Sequence, residues 1–163
     1  IVGIPILVKL YLGGTASDFA IVEAFVGLGM LIGTAIVYKI GNKLPHGLLF
    51  LLGLFIDGAS FCFYYFIETL NQLNFLSFMH GIGIPFLIIS RVSIMQKNIP
   101  EKLLGRIFAI ISVSILSMTA ISSGMIGLLT EVISIHEIFL LFGLMAGLCG
   151  IAGLIHPKIR YLN

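Results

Sequence analysis

The sequence contains few charged residues. Only 10% of the 163 residues are Asp, Glu, Lys or Arg, whereas 59% are hydrophobic, and the mean hydropathy is +1.16. A soluble domain carries roughly 25% charged residues because its surface must be hydrated. This scarcity excludes a water-soluble globular domain and predicts an all-α integral membrane protein. The formal net charge of +2 is too small to indicate a nucleic-acid partner.

The sequence also lacks the residue patterns of enzymes and metal sites. It contains no G-x-S-x-G, no H-E-x-x-H and no phosphate-binding G-x-x-x-x-G-K-[ST] motif. Its two cysteines, Cys62 and Cys149, lie inside apolar runs without metal-ligand spacing, which is typical of thiols that pack as small hydrophobic groups. The four histidines are spread over different segments. We therefore expect no enzymatic activity, no metal and no cofactor.

Long apolar runs dominate the chain. A run of about 20 residues crosses a bilayer as a helix, because each residue rises ~1.5 Å through a ~30 Å apolar layer. The first run is too short to span, so we interpret it as the second half of a helix and expect the chain to be part of a longer protein. The predicted spans are 1–12 (partial), 19–38, 48–67, 75–95, 103–129 and 138–155.

The charged residues separate by loop. Two Lys lie in the turn 39–47, four Lys or Arg in the region 91–106, and two in the tail after Pro157, which is eight of the nine basic residues. The alternate loops contain Asp18, Glu68, Glu131 and Glu137 and no basic residue. Basic loops mark the cytoplasmic side, so the C-terminus is predicted to be cytoplasmic. Six helices divided near Asn74 form two groups of three with inverted topology.

The loop before the fourth full span carries a motif. The segment 98–109 reads NIPEKLLGRIFA and includes Pro100, Gly105 and Arg106. It resembles the loop before the eleventh helix in major facilitator superfamily exporters, in particular the macrolide-efflux and siderophore-export group. Gly81-Ile82-Gly83 and the tail Pro157-Lys158-Ile159-Arg160 fit the same group. The resemblance implies the C-terminal six-helix bundle of a major facilitator fold, with helix seven truncated and helices eight to twelve complete.

A second loop resembles a degenerate copy of the family's D-R-x-G-R-[RK] signature. Lys39, Gly41 and Lys43 match the glycine and the bases of that pattern, whereas Tyr38 stands where the pattern has an acid. The functional interpretation is a gating loop. The alternative is that Lys39 and Lys43 only orient the protein in the membrane.

Three ionisable residues lie near the outer ends of predicted spans. Each costs about 2.5–3.5 kcal/mol on insertion scales, so each requires a reason. Glu23, Lys9 and His80 are at similar depths, and in a shared cavity they would serve proton coupling or recognition of a polar substrate. The alternatives are that Lys9 snorkels to the interface, Glu23 reaches water, and His80 bonds a backbone carbonyl.

Two further charges lie deeper or nearer the inner side. Asp57 is close to the middle of its span. Depth favours a function, whereas the resemblance favours a structural role, because the ninth helix of the family packs outside the cavity. Arg91 lies about five residues from the cytoplasmic end of its span. It either binds an anionic group or forms part of an inner gate, or it snorkels to the inner interface.

Small and hydroxyl residues indicate helix packing. Gly29-x-x-x-Gly33 and Gly143-x-x-x-Gly147 place glycines on one helix face, which allows helix backbones to approach closely. One span is rich in hydroxyl groups, which either bond across helices or line a wet path. These residues are Ser112, Ser114, Ser117, Thr119, Ser122 and Ser123.

The leading hypothesis is a secondary-active transporter of the cell membrane. As the resemblance implies, it exports a small amphipathic compound by alternating access, coupled to protons, with the N-terminal half of the same transporter as partner bundle. The alternative is a six-helix membrane scaffold or partner subunit that transports nothing. The two differ in whether the intramembrane charges face a cavity or face lipid and protein.

Overall fold

The protein is a bundle of membrane-length helices. The computed structural model describes residues 3–162, and all regular structure among them is helical. Helix α1 continues into a π-helical turn, Leu7–Tyr11, and helix α3 into a 3₁₀ turn, Tyr64–Phe66. The helices are α1 (Gly3–Ile6), α2 (Ala16–Ile40), α3 (His46–Phe63), α4 (Leu70–Asn98), α5 (Glu101–Leu129), α6 (Ile135–Ile155) and α7 (Pro157–Arg160).

The all-α fold class is confirmed. Five helices, α2 to α6, are long and apolar enough to cross a membrane. The partial first span corresponds to Gly3–Tyr11, and its first two residues lie outside the described part of the chain.

All five membrane-length helices begin earlier than the hydropathy indicated, and three of them begin at a capping box. Helices α2, α4 and α6 start at Ala16, Leu70 and Ile135, whereas the predicted spans start at 19, 75 and 138. Each start carries a capping box, in which a Ser or Thr side chain accepts from a backbone N–H three residues on and that residue's side chain accepts in return. The polar residues of these capping boxes lie in the first turn of each helix. An apolar run in the sequence therefore begins only after that turn.

Two ends of the bundle can be distinguished. At the acidic end, which joins the segments 12–15, 67–69 and 130–134, the rings of Tyr11 and His136 meet edge-on at 4.0 Å. His136 Nε2 also lies 3.2 Å from the carbonyl oxygen of Ile67. At the basic end, which joins 41–45, 99–100 and 156–162, Gly47 N–H donates to the carbonyl of Leu162 at 2.8 Å.

Helix α4 packs between α2 and α3, and its contact with α2 is made by glycines. A Cβ added at Gly29 would collide with the carbonyl oxygen of Phe78, and one at Gly33 with that of Ile82. A Cβ at Gly81 would collide with the carbonyl oxygen of Val26. The two backbones are therefore in direct contact, which confirms the predicted packing role of Gly29 and Gly33.

Helix α3 also packs on α6 through glycines. A Cβ at Gly143 would lie 2.5 Å from the backbone nitrogen of Cys62, and one at Gly58 would lie 2.8 Å from that of Gly147. Gly147 itself has open space where its own Cβ would be. Gly143 thus fulfils the predicted packing role directly, whereas Gly147 contributes its backbone to the approach of Gly58.

Helix α5 is the exception to this packing. Ile126 is its only buried residue. Three of its six hydroxyl groups bond within their own helix: Ser114 to the carbonyl of Ile110, Thr119 to that of Ile115, and Ser122 to that of Thr119. These three hydroxyls do not bond across helices, and the described helices leave most of the apolar surface of α5 uncovered.

The α2–α4 contact can be tested by a matched pair of substitutions. Gly29→Leu should lower thermal stability because the new side chain meets fixed backbone; overpacking costs about 1–3 kcal/mol. Gly27→Leu, on the same helix with nothing within 4 Å of its Cβ position, should be close to neutral. Thermal denaturation of the full-length protein in detergent, followed by size-exclusion chromatography, measures both. Equal effects of the two substitutions would contradict the close contact.

Candidate functional site

A cavity of about 480 Å³ lies within the bundle. Its lining residues come from all six helices α1 to α6. The volume is within the usual range of small-molecule sites, which are about 300–1,000 Å³. The cavity is therefore large enough to hold a small compound, or part of a larger one.

The lining is mostly apolar and contains four polar side chains. These are Glu23 on α2, Asp57 on α3, His80 on α4 and Ser122 on α5. None of the described lining residues is Lys or Arg. The apolar part includes three aromatic rings and several Ile side chains. The rings belong to Phe61, Phe139 and Phe142.

Asp57 and His80 form an ion pair that joins α3 to α4. The Asp57 Oδ1 atom lies 2.8 Å from His80 Nδ1, and the His80 and Asp57 side chains are 15% and 19% exposed. His80 Nδ1 has no hydrogen-bond partner among the described residues, so the contact is electrostatic and depends on protonation of the imidazole. The ring of Phe61, one helical turn beyond Asp57, meets the imidazole edge-on at 5.2 Å. The pair is thus held from one side by an aromatic ring.

Glu23 has a different environment from the ion pair. Its carboxylate makes no hydrogen bond or ion pair with residues 3–162, and its side chain is exposed. Val26, on the next turn of α2, also lines the cavity, and its carbonyl meets Gly81, the neighbour of His80. The glycine contact between α2 and α4 therefore brings Glu23 and His80 to the same cavity. A carboxylate in this position is available to a proton or to a ligand.

The structure brings together three of the five predicted intramembrane residues. Glu23 and His80 share a cavity, as expected if they act together. Asp57 lines the same cavity; the expectation that its helix packs outside the central cavity of the whole transporter stays a prediction. The α3–α4 contact turns Asp57 toward His80.

Lys9 and Arg91 lie away from this cavity. Lys9 is exposed on the π-helical turn, and it does not share the layer of Glu23 and His80 around the cavity. Arg91 is eleven residues beyond His80 on α4, or roughly 16 Å along the helix axis at 1.5 Å per residue. Neither residue is a cavity side chain in this structure.

The motif residues of the two loops lie at the basic end. Lys39, Lys43 and Arg106 are exposed and form no ion pair within the described part of the chain. Gly41 ends α2: its N–H donates to the carbonyl of Val37 at 2.7 Å, and a Cβ there would lie 2.7 Å from the same oxygen. Pro100 precedes the first residue of α5, and Gly105 has open space around its Cβ position. The close Val37 carbonyl therefore explains why position 41 is a glycine, whereas no contact among the described residues requires a glycine at position 105.

Sequence reasoning missed the aromatic part of the cavity. Phe61 is four residues after Asp57, so the two share one face of α3. That spacing was an available signal. Phe139 and Phe142 carried none, because they belong to the run 138–155, which is apolar on every face of the helix.

The Major Facilitator Superfamily is the family whose model matches this chain, over residues 1–160. No curated protein and no solved structure matches the chain.

The Asp57–His80 pair predicts a coupling that a double-mutant cycle measures. Asp57→Asn and His80→Gln should each destabilise the full-length protein, and the double variant should lose about 1 kcal/mol less than the sum of the two. The control cycle combines Asp57→Asn with Arg91→Gln, which lies on the helix of His80 but outside the cavity. It should be additive within about 0.5 kcal/mol. Unfolding by SDS in mixed micelles gives the energies, and additivity of the first cycle would show that the pair contributes nothing.

Proposed function

The chain belongs to the Major Facilitator Superfamily, a family of secondary transporters, and we propose that the cavity lined by helices α1 to α6 forms half of its substrate pathway. The protein is a multi-pass membrane protein with five membrane-spanning candidate helices. The observation that carries the proposal is the presence of three ionisable side chains around one apolar cavity. These are Glu23, Asp57 and His80.

The energetic cost of these groups supports a functional role. An ionisable group at the centre of a membrane span costs about 2.5–3.5 kcal/mol on insertion scales, so a purely structural protein gains by pairing such groups. Asp57 and His80 are paired, whereas Glu23 is unpaired among the described residues. Unpaired carboxylates in membrane proteins mark ion and substrate pathways. Glu23 is the residue that we assign to the proton or the substrate.

The same three groups support the proposal of proton coupling. The titratable residues that face Glu23 across the cavity are Asp57 from α3 and His80 from α4; the described lining residues of α1, α5 and α6 carry none. Protonation of Glu23 removes its charge, and protonation of His80 decides whether Asp57 is compensated. Both equilibria change the net charge of the cavity. Substrate and proton binding are thereby linked, as coupled transport requires.

The uncovered surface of α5 supports a partner bundle. Alternating access in this family rocks one six-helix bundle against another around a central site. We propose that the N-terminal half of the same transporter covers α5 and closes the other side of the cavity. The basic end carries Lys39, Lys43 and Arg106 and is proposed to be cytoplasmic, together with the C-terminus, in the cell membrane.

Direction and substrate rest on the resemblance of the segment 98–109. We propose export of a small amphipathic compound, in the manner of the macrolide-efflux and siderophore-export group. A non-transporting scaffold is less well supported. Its mark would be intramembrane charges that face lipid or protein, and Glu23, Asp57 and His80 instead line one cavity.

Substrate protection of a cysteine tests the pathway. In the full-length protein without Cys62 and Cys149, Ser122→Cys places a thiol in the cavity lining. A membrane-impermeant thiol reagent should label position 122, and erythromycin or tetraphenylphosphonium should slow that labelling several-fold. Glu68→Cys, in the loop at the acidic end, should label at the same rate with or without either compound.

Two outcomes would count against the proposal. If position 122 is unreactive while position 68 reacts, the cavity is closed to water and the scaffold interpretation gains support. If position 122 reacts but neither compound protects it, the cavity does not bind them.

Substrate accumulation in inverted vesicles should also stop when a protonophore removes the proton gradient, and accumulation that persists would exclude proton coupling.

A further inference from the structure

We propose that the basic end of the bundle carries a binding site for the phosphate group of an anionic phospholipid. The site is the surface formed by His46, Lys97 and Arg160, which we call the basic cluster. The inference is independent of the proposed function, because it concerns the outside of the bundle and not its cavity. It follows from the charge at this end, from its level in the membrane, and from the apolar side chains beside it.

Contacts between the tail and α3 bring the basic cluster together. The N–H of Gly47 donates to the carbonyl of Leu162 at 2.8 Å, and a Cβ at Gly47 would lie 3.2 Å from the carbonyl oxygen of Arg160. Arg160 is therefore next to the first turn of α3, which begins at His46. Lys97, in the last turn of α4, is close enough to His46 for its positive charge to act on the imidazole. The ends of α3, α4 and the tail thus share one basic surface.

Acidic residues do not compensate the charge at the basic end. Seven Lys and Arg residues lie within two helical turns of its loops, against one acid, Glu101. The other six acids lie in the spans or at the acidic end. Neither Lys97 nor Arg160 forms an ion pair with any residue between 3 and 162. An anion that binds at the basic cluster therefore supplies a counter-charge. The seven basic residues are Lys39, Lys43, Lys97, Lys102, Arg106, Lys158 and Arg160.

The guanidinium of Arg160 is held in place but has no counter-ion in the described chain. Its Nη2 atom donates to the hydroxyl of Tyr161 at 2.8 Å, and its Cζ atom lies 4.6 Å from the centroid of that ring. Its Nε atom is buried and has no hydrogen-bond partner among the described residues. A guanidinium presents a planar set of donors that matches phosphate oxygens. A phosphate on the remaining donors of Arg160 would compensate its charge.

Two observations favour a phospholipid over a soluble phosphate. Helix α6 has 21 residues, so at 1.5 Å per residue it rises roughly 30 Å, the thickness of the apolar layer of a bilayer. The tail that follows α6 is therefore at the level of the lipid headgroups. Beside Arg160, Ile159, Tyr161 and Leu162 are 45%, 61% and 39% exposed. Acyl chains cover such apolar surface next to a bound phosphate, whereas a soluble anion leaves it exposed to water.

Lipid-dependent thermal stability of the purified full-length protein in detergent tests the inference. Dioleoylphosphatidylglycerol is anionic and dioleoylphosphatidylcholine is zwitterionic, while their acyl chains are the same. We expect the anionic lipid to raise the melting temperature at a concentration at least about fivefold lower than the zwitterionic one requires. Inorganic phosphate and glycerol 3-phosphate carry the charge without the acyl chains. Neither should reproduce the stabilisation at the concentrations at which the anionic lipid acts.

Substitutions locate the site within the basic end. Lys97→Gln and Arg160→Gln should each raise the concentration of dioleoylphosphatidylglycerol for half-maximal stabilisation about fivefold, as expected for the loss of one basic contact to an anionic headgroup. Arg160→Lys should have a smaller effect, because it keeps the charge. Lys102→Gln removes one charge from the same end, on α5 and outside the basic cluster, and should change the concentration less than about twofold.

Three outcomes would overturn the inference. Equal stabilisation by the two lipids would show that the headgroup charge is not recognised. Stabilisation by inorganic phosphate at the concentrations of the lipid would identify a soluble anion as the ligand. Equal effects of Lys97→Gln, Arg160→Gln and Lys102→Gln would show a general attraction of the basic end to anionic lipid without a defined site. If Arg160→Gln does not fold, Lys97→Gln and the two lipids still decide the question.

Discussion

The direct contact between the backbones of α2 and α4 is the constraint on which the site depends. Inside a bilayer, lipid tails are as apolar as the helices, so association relies on close van der Waals packing. Gly29, Gly33 and Gly81 permit that packing because any Cβ at these positions would collide with a carbonyl of the other helix. The contact fixes the rotation of both helices about their axes. It thereby brings Glu23 on α2 and His80 on α4 to one cavity.

The ionisable side chains of the cavity have two different environments. Asp57 and His80 compensate each other across the α3–α4 contact, whereas Glu23 has no counter-charge among the described residues. This division assigns different roles to two carboxylates in the same cavity. Asp57 lies against His80, and Glu23 is the residue that we propose exchanges a proton for a ligand. Phe61 on α3 and Phe139 on α6 form an aromatic part of the same cavity wall.

The sequence predicted the helical architecture better than the helix ends or the cavity. Long apolar runs located five membrane-length helices, and the Gly29-x-x-x-Gly33 spacing indicated a packing face that the structure confirms. Helix starts at Ala16, Leu70 and Ile135 were missed because capped first turns are polar. The hydroxyls of Ser114, Thr119 and Ser122 were open to two interpretations, and the structure shows that they bond within their own helix.

The sequence by itself determined that the chain lies in a membrane and how many helices it has there, because hydropathy and loop charge are local properties of each segment. It also supplied the ionisable candidates Glu23, Asp57, His80, Lys9 and Arg91. Only the tertiary structure decided which of them meet. Membership of a shared cavity depends on the rotation and spacing of several helices, and these are set by glycine contacts between segments distant in sequence. The three residues that converge come from three different helices. Depth grouped Glu23 with His80, but it also included Lys9 and left out Asp57.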